Sequence, residues 1–278
     1  MWVILLLSLI TAVCFTLSAG IRQLWVLPVS FIVCAVLLCL IYWLILGIFS
    51  LGVDLKKEYD KPSALYLFLL NAAYWFVCTA GRVRVHISGM EKIPAERRFL
   101  FVSNHLSRFD PMIQCLVLRK TPIAFISKPA NFKIPIGRRF MNRCCYIPVD
   151  RESPRNAAKS ISRAVELIKA DAVSIGVYPE GHRGNGFELG EFRAGCLKAA
   201  AKSKCPIVVS TITGTDKIHQ RFPWRRTDVY FDIIDVVAPA DNEKTTELAM
   251  RIRDSMQRHL KGTSNEIRER KSNDLHFV

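Results

Sequence analysis

Between Met1 and Val53 the chain carries a single charged side chain, Arg22. A stretch this long without charge cannot form the wetted surface of a soluble domain, so it constrains the fold more than any other feature. Arg22 and its neighbours Gly20 and Gln23 divide it into two apolar runs, Met1 to Ala19 and Leu24 to Val53. About 20 helical residues cross a hydrocarbon core of ~30 Å. The two runs therefore predict a membrane-anchoring helical hairpin over 1–54. A cleaved signal peptide fits poorly, because no basic segment precedes the first run and a second, longer run follows. Lys56, Lys57 and Lys61 come next. By the positive-inside rule they put the rest of the chain on the cytoplasmic face, of the inner membrane if the source is bacterial.

The net charge of +15 then belongs almost wholly to the part after Val53. A basic domain held at a membrane implies an anionic lipid surface or an anionic substrate. Nucleic acid is disfavoured: there is no basic helix with interleaved aromatics, no zinc-finger spacing and no aromatic-rich strand of an RNA-binding sheet. The nine cysteines are scattered and form no C-x-x-C pair, which argues against a zinc ribbon or a redox dithiol. Several sit in apolar segments, where free Cys behaves as a small hydrophobe, and this usage fits a reducing compartment.

A third uncharged run, Pro62 to Gly81, is rich in aromatics and contains Asn71. It reads as an interfacial or domain-packed helix within 55–81 rather than a span, because a span would carry the basic domain across the membrane. From 82 to 262 the pattern alternates. Val83, Val85 and Ile87 mark a half-exposed strand of period two, with His86 on its polar face. Further strands are expected over Arg98–Ser103, Ile123–Ser127, Tyr146–Val149, Val173–Tyr178, Pro206–Ile212 and Val229–Val237. Helices are expected over Pro111–Leu118, from Ser153-Pro154 as N-cap and first turn, over Ala194–Lys202 and from about Asn242 to Leu260. Strands alternating with helices predict an α/β domain with a largely parallel central sheet flanked by helices. The residues after Gly262 read as a mobile polar tail, 263–278.

Polar residues gather where the predicted strands end, which is where open α/β sheets place their sites. His105 follows the strand Phe99–Val102, and Asp110 lies five residues later. A carboxylate at that spacing can accept the imidazole N–H and fix its tautomer for work on a hydroxyl proton. Equally, Asp110 can occupy the first turn of a helix. Tyr178-Pro179-Glu180-Gly181-His182-Arg183 follows another strand, with Glu180 and Arg183 at the spacing of a local charge pair and Arg183 suited to phosphate. Lys128 ends a third strand. Arg138, Arg139 and Arg143 read as headgroup contacts or as an ordinary solvated helix face. Gly195 fits either an anion-holding helix start or close helix–strand packing.

Several chemistries find no support. Gly184, Gly186 and Gly190 are one residue off the dinucleotide fingerprint. There is no G-x-S-x-G elbow and no P-loop. His105 and His182 find no third ligand in the spacing, so no metal site is expected.

In this order the clusters resemble the glycerolipid acyltransferases, the 1-acyl-sn-glycerol-3-phosphate acyltransferase (PlsC-type) family. Asn104, His105 and Asp110 match its N-H-x-x-x-x-D block. Lys128, Pro135, Gly137 and Arg151 are similar to its second block, Tyr178 to Arg183 to its F-P-E-G-T-R block, and Pro206 to Val209 to its fourth. The resemblance covers Val83 to Thr215. Tyr178 stands where the family has phenylalanine and His182 where it has threonine.

The resemblance implies a membrane-bound O-acyltransferase with His105 as general base and Asp110 as its orienter. Lys128, Glu180, Gly181, Arg183 and Asn104 would lie on the acceptor side, with Lys128 and Arg183 holding a phosphate. It implies no cofactor. Acyl-CoA or acyl carrier protein would supply the thioester, and 1-acylglycerol 3-phosphate would be acylated to phosphatidate. The alternatives are another lysolipid acceptor, or a non-catalytic protein that binds anionic lipid.

Overall fold

The computed structural model describes residues 2–18, 26–150, 153–184, 186–240 and 243–275, of which 2–5 and 265–275 are described by backbone only. Arg22 and Arg151 lie outside the described residues. The chain divides into two compact units, Met1–Lys57 and Glu58–Val278.

The first unit holds α1 (Trp2–Ser18) packed against α2 (Val26–Leu51). Pro28 falls in the first turn of α2, where its missing N–H leaves no helical bond unmade. Among the described residues only α2, at 26 residues, is long and apolar enough to cross a membrane. Its surface is apolar around most of its circumference, with Ile32, Leu40, Ile41 and Ile45 all exposed. At 17 residues α1 rises about 26 Å, short of a ~30 Å core. Among the described residues of the expected hairpin, α2 is the helix of full spanning length.

The second unit opens with α3 (Ala64–Ala80) and β1 (Val83–Ser88), then β2 (Leu100–Ser103) and α4 (Asp110–Val117). It continues with β3 (Ile123–Ser127), α5 (Pro135–Arg143), β4 (Ile147–Pro148), α6 (Pro154–Lys169) and β5 (Ser174–Val177). It closes with α7 (Lys198–Ser203), β6 (Ile207–Thr213), α8 (Ile218–Arg221), β7 (Thr227–Val237) and α9 (Thr245–Leu275). Ser153 caps α6 as expected, its hydroxyl accepting the Asn156 N–H. The apolar run before β1 packs into the domain as α3, burying Leu69 and Cys78 and setting Tyr66 against Phe140 of α5 at 5.3 Å between centroids. Gly262 does not end α9, which continues to Leu275.

The seven strands form one sheet in the order β1-β7-β6-β2-β5-β3-β4. From β6 to β4 every neighbouring pair is parallel. β7 runs antiparallel to β6, and β1 is parallel to β7. The largely parallel sheet expected from the sequence is present, with two strands reversed at one side. β2 is central and buried along its whole length. Its Phe101 meets Phe125 of β3 and Phe231 of β7. Because β6, β2, β5 and β3 are adjacent and parallel, their C-terminal ends open on one edge of the sheet. That topology brings four strand-end loops together.

Candidate active site

His105 leaves the end of β2, and Asp110 is the first residue of α4. Asp110 therefore starts a helix and also partners the histidine; the two readings of the spacing are both true. Its Oδ2 accepts the His105 Nδ1 at 2.7 Å, the Leu106 N–H at 2.6 Å and the Ser107 N–H at 2.7 Å. Its Oδ1 accepts the hydroxyl of Thr215, just past the end of β6. The carboxylate is wholly buried, yet every bond made to it comes from a donor, which suits the ionised form. An acceptor at Nδ1 fixes that nitrogen as N–H and leaves the Nε2 lone pair free. The ring is 22% exposed, so Nε2 has access to a substrate.

The imidazole lies on a stack of rings. Tyr178, from the end of β5, is parallel to it with centroids 4.2 Å apart, and Phe125 lies under Tyr178 at 5.4 Å. The stack depends on Gly176: a Cβ there would collide with the Phe125 ring. The Tyr178 hydroxyl donates to Gln114 Oε1 at 2.7 Å, and Gln114 Nε2 donates to Ser103 Oγ at 2.8 Å. Burial, and the nearby Asp110 charge after it, push the Tyr178 phenol well above its ordinary range, so it stays a neutral donor. The Tyr178 hydroxyl, which a phenylalanine would lack, is thus answered by a buried glutamine on α4.

Backbone bonds hold the histidine from the other side. Glu180 is buried; its Oε1 accepts the His105 N–H at 3.2 Å and its Oε2 accepts the Gly190 N–H at 3.0 Å. The Gly184 N–H donates to the His105 carbonyl at 2.7 Å. Gly181 turns the loop with φ of 76°, a conformation that a side chain disfavours. Arg253 and Gln257 of α9 then tie the same loop at Leu189, Gly190 and Phe187.

These contacts revise several expected roles. Glu180 does not pair with Arg183; it is spent on backbone N–H groups and positions the histidine loop. Asn104, expected on the acceptor side, is buried with its side chain spent on backbone. Its amide donates to the Ile212 carbonyl and accepts the Ile212 N–H, both at 2.8 Å, extending the β2–β6 ladder by a side chain. Arg183 and Lys128 are exposed, and among the described residues neither has a side-chain partner, so both cations are available to an anion. Gly195 lies in a 3-10 turn with open space around it, so close packing is not the reason for glycine there. His86 is not simply solvated: it pairs with Asp228 at 3.0 Å and stacks on Tyr230.

Thr215 and Gln114 were not evident from the sequence. A hydroxyl and an amide carry no motif of their own, and each is defined only by a partner brought in by the sheet.

The family model described as Acyltransferase matches residues 84–213, just under half of the chain, ending just short of Thr215. In that segment the chain is similar to the acyltransferases. The chain is 35% identical over 136 residues to a chloroplastic 1-acyl-sn-glycerol-3-phosphate acyltransferase, BAT2, of Brassica napus, an alignment covering 49% of this chain and 39% of that protein. It is 28% identical over 134 residues to the 1-acyl-sn-glycerol-3-phosphate acyltransferase of Borreliella burgdorferi, covering 48% and 53%. The chain thus spans roughly two fifths to half the length of these curated relatives. The crystal structure of the 1-acyl-sn-glycerophosphate acyltransferase PlsC from Thermotoga maritima superposes with a TM-score of 0.59 at 24% identity, covering 71% of this chain and 79% of that one. The chain therefore shares the fold of that structure.

Proposed function

We propose that this domain transfers an acyl chain from a thioester to the free hydroxyl of 1-acylglycerol 3-phosphate, giving phosphatidate. The observation that carries the proposal is the free Nε2 of His105, set by the Asp110 bond at Nδ1 and open to solvent. The acceptor is supported by the names of the relatives and by the exposed cations Lys128 and Arg183, which suit a phosphomonoester.

In this reading His105 Nε2 takes the proton from the acceptor hydroxyl as its oxygen attacks the thioester carbonyl. Asp110 stabilises the imidazolium that forms. The tetrahedral intermediate collapses by breaking the C–S bond, and the thiolate leaves with the proton returned from Nε2. An oxygen–carbon bond replaces a sulfur–carbon bond, and no atom changes oxidation state. The thioester is carried by coenzyme A or by acyl carrier protein. The α2 helix would hold the domain at the bilayer where the lysolipid resides, and Lys56, Lys57 and Lys61 support a cytoplasmic orientation.

The test is turnover by the purified full chain in detergent, with lysophosphatidate and either acyl-CoA or acyl-loaded carrier protein. Replacing His105 by alanine is expected to lower turnover by roughly 10²-fold or more with the fold retained. Turnover unchanged in H105A would refute the mechanism. The ratio of the two donors' kcat/KM assigns the donor.

A further inference from the structure

The segment that follows Thr215 is both basic and aromatic. From Lys217 to Arg226 it reads Lys-Ile-His-Gln-Arg-Phe-Pro-Trp-Arg-Arg, with four cations and no carboxylate. Every residue from His219 to Arg226 is exposed. Trp224 is 80% exposed and Phe222 41%. An indole left this open to water has unmet apolar surface, and flanking arginines rule out burial in an ordinary protein core.

The loop is nevertheless built rather than loose. The Phe222 N–H donates to the Ile218 carbonyl and the Arg225 N–H to the Arg221 carbonyl, both at 2.8 Å. Arg82 Nη1 donates to the Trp224 carbonyl at 2.9 Å, and Arg221 Nη1 to the Arg226 carbonyl at 3.3 Å. The Phe222 ring lies against Gly81, at the end of α3. Backbone bonds thus fix the turn while the Trp224 side chain is left outside. Arg226 is shared with Asp228, at 3.4 Å, and Arg221 and Arg225 have no carboxylate partner among the described residues.

Its position in the fold is also specific. β7 runs antiparallel to β6, so the connection between them lies on the sheet edge where His105 emerges. The same connection begins with Thr215, whose hydroxyl bonds Asp110.

We propose that the loop 217–226 is a bilayer-contacting wedge, with Trp224 and Phe222 entering the headgroup region and Arg221 and Arg225 pairing with anionic lipid. An aromatic ring with a polar edge, flanked by cations, has the composition that partitions to a negatively charged membrane interface. The charge of the loop selects an acidic surface, and its location puts that surface beside the catalytic histidine. The inference rests on the membrane association proposed above and names the part of the domain that completes it.

The experiment uses the full chain reconstituted in vesicles of phosphatidylcholine alone or mixed with phosphatidic acid, with brominated acyl chains as quencher. Trp224 emission is isolated as the difference between the wild type and Trp224→Phe. In acidic vesicles the Trp224 signal is expected to shift to the blue, to lose most of its intensity to brominated lipid and to be sheltered from acrylamide. In phosphatidylcholine alone, or in an Arg221→Gln/Arg225→Gln variant, shelter is lost. Equal acrylamide access in both lipids, or equal bromolipid quenching in both, overturns the proposal. Protection by heparin but not by acidic vesicles would assign the loop to a soluble polyanion and also overturn it. A chain that does not float with vesicles overturns both readings; one that floats with Trp224 open to acrylamide overturns this one alone. None of these measurements depends on turnover.

Discussion

Replacing Asp110 by asparagine separates the charge of this residue from its geometry. Three N–H donors converge on Oδ2, from His105 Nδ1, Leu106 and Ser107, while Oδ1 faces only the Thr215 hydroxyl. An asparagine NH2 placed at Oδ2 would confront all three donors. Its oxygen must therefore take that position, and its NH2 turns to Thr215, whose hydroxyl oxygen can accept. The Nδ1 proton then stays where it was and Nε2 keeps its lone pair, so the tautomer survives. What is lost is the attraction between carboxylate and imidazolium, about 4 kcal/mol at ~4 Å with an effective dielectric of ~20. With the proton about half transferred in the transition state, about half of that is felt there. Since ~1.4 kcal/mol is tenfold in rate, D110N should lower kcat by about 30-fold to 1000-fold. The acceptor KM should hold. Asp110→Ala instead strands the donors in a site with no exposure, at about 1–3 kcal/mol each, enough to consume much of a stability of ~5–15 kcal/mol. The assay is steady-state acyl transfer with thermal unfolding of the same preparations. D110N with wild-type kcat would remove the electrostatic role; D110N as unstable as D110A would show that the oxygen did not take the Oδ2 position.

Two further substitutions test parts of the frame away from the reacting atoms. Asn104→Ala removes both bonds to Ile212 and leaves a backbone N–H and C=O unpaired in the core. It should cost about 2–4 kcal/mol in denaturant unfolding while the KM of the surviving folded enzyme is unchanged. A raised acceptor KM with normal stability would instead put Asn104 at the substrate. Asp232 is pushed up by burial, but the His259 imidazole and the Ser88 hydroxyl more than offset it, so its carboxyl titrates below its ordinary value. A depressed carboxylate stabilises the fold above the unfolded pKa, near 4, and that stability is lost as pH falls through the folded pKa. The stability gap between wild type and Asp232→Asn should therefore be full at neutral pH and close on acidification below about 4. A gap that is independent of pH would show that the bonds to Asp232 do not favour its charged form.

The sequence by itself determined the elements whose causes are local. An uncharged run long enough to span is apolar on every face whatever surrounds it, so α2 follows from composition. Period-two alternation and β-branched runs placed β1, β6 and β7 to within a few residues, and Ser153-Pro154 marked the start of α6. The His105–Asp110 pair was visible for the same reason: its members are five residues apart, and a strand end followed by a helix start brings them to 2.7 Å without help from elsewhere. Tertiary structure decided everything that depends on which strands are neighbours. Glu180 reaches the His105 N–H from 75 residues away, Thr215 reaches Asp110 from 105, and Asn104 binds Ile212 from 108. Glu180 and Arg183 are close in sequence and suggested a charge pair, yet a buried carboxylate is more strongly held by two fixed N–H groups than by an arginine free to stay in water. Spacing reports only what a short piece of backbone can bring together. The support beneath the His105–Asp110 pair is set by the order of β6, β2, β5 and β3, and that order arises from burying all their apolar faces at once.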